Sequence, residues 1–175
     1  KHNATDLPFD DSTMDVVLCA QTLQFLSDRV SALSEMKRIA KPDGLVAVSL
    51  WCDIAKSPYF DALVATIAET IGEDTASGLG SAFKWTDVDD IRQTFVEAGF
   101  EHIETHISTL ELELPPIDAF VPRHINATPM SKGYSQASDD TRQAIIQMMS
   151  ERLADYVTDD GLAVPFCSHI VHVRK

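Results

Sequence analysis

Asp6–Phe25, DLPFDDSTMDVVLCAQTLQF, decides how the rest of the chain is read. Its centre, Met14 to Ala20, is a short apolar run with adjacent valines, and Asp10, Asp11 and Ser12 punctuate it in front. Such a run, bounded by turn residues and too short for a buried helix, reads as a strand covered on both faces, hence as part of a parallel sheet. A helix follows. Ser27 and Asp28 make its N-cap, Val30, Leu33, Met36 and Ala40 recur at helical spacing, and Lys37, Arg38 and Lys41 load the last turn, where the helix dipole favours cations. Pro42, Asp43 and Gly44 then turn the chain into a second buried strand, Leu45 to Trp51, so that residues 14–51 form a β-α-β unit with a right-handed crossover.

LPFDDSTMDVVLCAQTLQFLSD, followed by ALSEMKRIAKPDGLVAVSLW, resembles the middle of a class I S-adenosylmethionine-dependent methyltransferase. The family pattern is an Asp-Ala pair, Leu-Pro-Phe, turn residues, a Phe-Asp-Val-Val strand, a Leu-His or Leu-Gln element, a helix, and Lys-Pro-Gly-Gly before the next strand. Here Asn3-Ala4 stands for Asp-Ala, Met14 for Phe, and Asp43-Gly44 for Gly-Gly. The resemblance is close over the first third of the chain and holds in outline beyond it. It implies a partial doubly wound, Rossmann-like α/β sheet carrying strands 4-5-7-6 of the family order 3-2-1-4-5-7-6, with flanking helices. The family's Gly-rich loop after strand 1, and the acidic residue ending strand 2 that holds the ribose, have no counterpart, since only five residues precede Asp6. The expectation is the C-terminal part of an enzyme. Cofactor affinity is then expected to fall at least a thousandfold, with no cofactor bound to this fragment.

Composition is that of a folded chain: 45% hydrophobic, 23% charged, and long enough at 175 residues for one domain with a sizeable core. The net charge of −13 repels phosphate backbones and anionic lipid heads, which argues against nucleic-acid and membrane-surface partners. Cys19, Cys52 and Cys167 are odd in number and far apart, so neither a disulfide framework nor a zinc site is expected, and a reducing cytoplasm is the default. No apolar run approaches the ~18 residues that a spanning helix needs.

Further along, Ser57-Pro58 starts a helix whose stripe of Phe60, Leu63, Ile67 and Ile71 ends at Gly72. Residues 73–84, with Gly78, Gly80 and Ser81, read as irregular; Thr86 to Asp89 is a capping box for a helix that stops at Gly99-Phe100. Ile103 to Leu114 alternates as a long strand, and Pro115-Pro116 ends it. A short helix is expected over Ile117 to Ala127, a longer one from Ser138, and a last strand over Pro165 to Val173 after the Asp159-Asp160-Gly161 turn. Residues 1–175 thus read as a single domain, with about 115–160 a helical insertion where the resemblance implies an acceptor lid.

Several motifs have plainer explanations. His102 and His106 would share a helix face, but on a strand four residues span about 13 Å, too far for one metal ion. His169 and His172 point to opposite faces of a strand. The Gly78-Leu79-Gly80-Ser81 stretch has no preceding strand and reads as a flexible loop rather than a phosphate cradle. Cys19 reads as a small buried hydrophobe with no base beside it.

Ligands of doubly wound sheets lie beyond the carboxyl ends of the strands. By resemblance, Asn3 and Ala4 meet the adenine edge of S-adenosylmethionine, Cys19, Ala20 and Gln21 pass its methionine end, and Gln24 stands where the family often has His. The plain alternative is that Asn3 and Gln24 are solvated loop residues. Methyl transfer asks mainly for alignment and exclusion of water, so no triad or carboxylate pair is required. The small-molecule acceptor is expected against Trp51, Phe120, His124 and Tyr134, with His124 a candidate base. Two other functions stay open: a different nucleotide-dependent enzyme, such as a dehydrogenase, and a non-catalytic assembly module. Without strands 1 to 3, strand 4 is left as an apolar edge carrying Val16, Val17 and Leu18, which predicts a homodimer closed by that edge or by the arm from Lys1 to Phe9.

Overall fold

The computed structural model describes residues 2–175, so Lys1 of the expected arm lies outside the described residues. The strands are β1 (Met14–Ala20), β2 (Ala40–Trp51), β3 (Glu104–Leu114), β4 (Val157–Thr158) and β5 (Gly161–Arg174). The helices are α1 (Arg29–Ile39), α2 (Pro58–Thr70), α3 (Glu73–Gly80), α4 (Val88–Glu97), α5 (Ile117–Asn126), α6 (Ser131–Gln136) and α7 (Asp139–Arg152). The strands order as β1-β2-β5-β3 with β4 on β5; β1 and β2 are parallel and β5 antiparallel to β2. This is the 4-5-7-6 order expected of the partial doubly wound sheet.

The chain forms two compact units. The first comprises Lys1–Cys52, Lys84–Ser108 and Ser168–Lys175. Its core is one sheet face, Val46, Val48, Leu50, Val171 and Val173, under Leu33 and Met36 of α1 and Ile91 and Phe95 of α4. Each helix starts on an aspartate: Asp28 accepts from the Ser31 N–H, and Asp87 accepts from those of Asp89 and Asp90. The α4 cap is therefore Asp87, one residue past the expected Thr86, because its carboxylate alone reaches two orphan amides.

The end of α1 shows why Lys-Pro-Asp-Gly follows it. Met14 pairs with Ala40 and Val16 with Leu45, so residues 41–44 bulge out against Asp15 alone. Asp43 takes a positive φ of 63°, and a Cβ on Gly44 would stand 2.8 Å from the Lys41 carbonyl. The last helical carbonyls find donors from elsewhere: Ser12 N–H reaches Arg38 O, Thr13 N–H reaches Ile39 O, and Lys175 Nζ donates to Arg38 O and Ala40 O. Lys175 is itself tied by its backbone to Asp43 and Gly44.

The expectation that β1 is covered on both faces is corrected. Val17 and Cys19 pack on the core, but Val16 is 51% and Leu18 74% exposed. Alternate residues face opposite sides of a strand, and within this unit only one side carries helices. On the open side a small hollow of about 190 Å³ lies among Leu18, Ala20, Ala47, Ser49 and Ile170. A larger one of about 910 Å³ runs past Ala47 and Ile170 to His172, Glu104 and Lys37.

The second unit comprises Asp53–Phe83 and Thr109–Cys167. Here α2 packs on α3 and α7, and α5 on α6 and α7. Tyr59, Leu63, Ile67, Ile125, Ile145, Met149 and Leu153 are fully buried, and Arg152 ties α7 to Thr66 and Glu69 of α2. Residues 73–84 are not irregular: α3 and a following 3-10 turn, Ser81–Phe83, occupy them. Gly78 serves a close approach rather than flexibility, since a Cβ there would lie 3.1 Å from that of Pro129. Two short elements, α6 and β4, were not foreseen. β4 forms a tight hairpin with β5, in which Thr158 pairs with Gly161 at φ 153°.

Candidate functional site

At the carboxyl end of β1 the chain makes a sharp change of direction at Gln21, whose φ is 47°. Its N–H extends the ladder by one more bond, to Ser49 O at 2.9 Å, while its side chain turns toward β5. Gln21 Nε2 donates to Ser168 Oγ, and Gln21 Oε1 accepts from Gln24 Nε2, both at 3.0 Å. Gln24 sits in a 3-10 turn, Leu23–Phe25, and is 6% exposed. Its own Oε1 has no hydrogen-bond partner, the one such sealed side-chain atom among the described residues. A buried acceptor without a donor is costly, and here it closes a row of two side-chain amides.

The turn is held from behind. Arg29 donates to the Leu23 and Gln24 carbonyls and lies 4.4 Å above the ring of Trp85, and the Thr22 hydroxyl closes on Ala20 O. Cys19 is half-buried, and burial pushes its thiol up, away from the thiolate a nucleophile needs. Trp51 ends β2 directly opposite Ser168 in the antiparallel register. Of the residues singled out by sequence, the structure thus gathers Cys19, Ala20, Gln21, Gln24 and Trp51 at the ends of β1 and β2. Ser168 was missed. Nothing marks it locally, since it lies 147 positions from Gln21.

Asn3 and Ala4 do less than expected of a recognition pair. The Asn3 side chain accepts from the Thr5 N–H and caps its own turn, while Ala4 rests on the core. Their segment is fastened to α1: Leu7 N–H donates to Glu35, and Arg38 donates to the carbonyls of Leu7 and Phe9. Hydrogen bonds from Arg38 and the Leu7 amide bring the Glu35 carboxyl down to about 2.

In the second unit, Phe120 and His124 are one turn apart on α5 and stack, centroids 5.5 Å apart and planes 20° apart. Tyr59, fully buried, lies against both rings, and its hydroxyl is 2.8 Å from His124 Nδ1. Burial raises the Tyr59 pKa and lowers that of His124. Tyr134, in α6, is buried, with the Arg142 guanidinium over its ring. Among the described residues no group of three metal-ligating side chains occurs, and no helix is long and apolar enough to cross a membrane.

A family model described as "Methyltransferase domain" matches residues 1–48, the stretch that builds β1, α1 and most of β2. Over those residues the chain is similar to methyltransferase domains. It is 33% identical over 113 residues to a demethylmenaquinone methyltransferase of Staphylococcus carnosus, covering 58% of this chain and 46% of that one. It is 29% identical over 119 residues to a methyltransferase, tpcH, of Aspergillus fumigatus, covering 66% and 41%. The chain thus spans less than half the length of these curated relatives. A crystal structure of a putative methyltransferase from an antibiotic biosynthesis pathway of Anabaena variabilis superposes with a TM-score of 0.58 at 14% identity, over 99% of this chain and 71% of that one. That likeness is one of fold.

Proposed function

We propose that this chain forms part of a methyltransferase acting on a small molecule, and that the carboxyl ends of β1 and β2 face S-adenosylmethionine. The observation that carries this is the unpartnered Gln24 Oε1, buried where a doubly wound sheet meets its ligand. When bound, the cofactor supplies an electrophilic methyl on a sulfonium. This chain's part is to hold it: Gln24 Oε1 accepts one donor, Gln21 and Ser168 fix the Gln24 amide, and the backbone of Ala20 and Gln21 passes the methionine end. The likeness to a quinone-directed methyltransferase supports an aromatic acceptor, for which Phe120 and His124 are the proposed contacts. The net charge of −13 argues against nucleic acid and anionic lipid as partners, and three free cysteines fit a reducing cytoplasm. The open β1 edge, with Val16 and Leu18 exposed, supports closure by a second copy of the chain.

Calorimetry with S-adenosylmethionine and with NAD tests the reading. It is run on this chain and on a form extended upstream by a Gly-rich strand-turn-helix. Micromolar binding of the sulfonium cofactor by the extended form, at least tenfold weaker in Gln24→Leu, is the expected result. Binding of NAD in its place overturns it.

A further inference from the structure

The Tyr59–His124 pair carries more information than its packing. The Tyr59 hydroxyl is fully buried, and burial keeps it protonated at any physiological pH. Among the described residues its one hydrogen-bonding neighbour is His124 Nδ1, 2.8 Å away. If Nδ1 carried the imidazole proton, the tyrosine proton would be left inside the protein with no acceptor, which native structures avoid. The hydroxyl therefore donates and Nδ1 accepts. The half-buried ring is held neutral by its surroundings, so its single proton resides on Nε2.

Nε2 has no partner among the described residues, and it is not one of the atoms sealed from solvent. It is a free N–H on an aromatic wall, with Phe120 stacked on the imidazole and Phe60 at 5.9 Å. Phe166, half-buried, meets Phe60 edge-on at 5.0 Å. We propose that Tyr59 is a positioning residue that fixes His124 as a neutral Nε2–H donor, and that this wall binds an aromatic ring carrying an oxygen acceptor, a phenol or a quinone carbonyl. His124 then holds a proton toward the ligand's oxygen. That is the reverse of the base expected from sequence. Only the identification of this ligand with the methyl acceptor rests on the proposed function.

The test uses the whole chain without S-adenosylmethionine, so a failure of methyl transfer and a failure here are separate results. Long-range ¹H–¹⁵N spectra of the histidine ring at neutral pH are expected to show the Nε2–H tautomer, and Tyr59→Phe should give a mixture. 1-Naphthol should bind at least tenfold more tightly than naphthalene. His124→Gln, which keeps an N–H near the Nε2 position, should retain that preference, and His124→Phe should lose it. An Nδ1–H tautomer in the unaltered chain overturns the proposal, as does equal or absent binding of the two probes. The tautomer measurement needs no variant, so misfolding of one does not blunt the test.

Discussion

Gln21 and Ser168 are 147 positions apart in sequence and 3.0 Å apart in space, joined by one amide-to-hydroxyl hydrogen bond. The bond ties the turn after β1 to β5 and sets which way the Gln21 amide presents its oxygen to Gln24. Ser168→Ala should lower unfolding stability by about 0.5–1.5 kcal/mol, the usual net value of such a bond. Urea titration measures that loss, and an unchanged midpoint would show the bond is idle in solution.

Gln24 predicts the opposite sign. Its orphaned acceptor is a standing cost of about 1–3 kcal/mol, against one hydrogen bond made to Gln21. Gln24→Met removes both at similar volume. It should leave urea stability unchanged or higher while weakening the cofactor, and a large loss of stability would show the amide to be structural.

The β4–β5 hairpin depends on Gly161. Its φ of 153° is left-handed territory, and a Cβ there would meet Leu114 O at 2.1 Å. Gly161→Ala should cost at least about 1–3 kcal/mol of backbone strain. Thermal unfolding should report it.

Glu35 and His124 each give stability a pH dependence. Glu35, ordinarily 4.5, is depressed to about 2, so its ionised form contributes in full above about 4.5 and is lost as pH falls through about 2. His124 is depressed below its ordinary 6.5 by burial, so the unfolded chain takes up a proton first and stability declines as pH falls below 6.5. Unfolding midpoints at pH 7.5 and 5.5 should differ less in His124→Gln than in the unaltered chain.

On β1, Leu18→Lys and Val17→Lys should part ways. Leu18 is 74% exposed, so lysine there leaves the fold intact and disperses any dimer closed by this edge. Val17 packs on the core, and lysine there should unfold the first unit. Light scattering alongside circular dichroism distinguishes the two; a Leu18→Lys chain whose mass in solution is unchanged removes the edge as an interface.

β1, α1 and β2 were legible because their signals are local: a bounded apolar run, an aspartate cap, a Lys-Pro-Asp-Gly stop. Contacts that join distant segments were not. Ser168 carries no mark of its partner, and Tyr59 looks like any core aromatic until α5 brings His124 to its hydroxyl. Gly78 misled because a glycine admitting a close neighbour has the same letter as one admitting a turn. The bare face of β1 was misjudged because apolar residues report what a strand is suited to bury, and the covering must come from elsewhere.

Lys175, which closes the end of α1 and clasps the Asp43-Gly44 turn, also fixes an order of events on the ribosome. More than a hundred residues separate Cys52 from Ser168. At cellular translation rates, β2 waits on the order of ten seconds with the edge meant for β5 unpaired. The nascent first unit therefore carries a second bare strand edge, besides that of β1, until Ser168–Lys175 emerge.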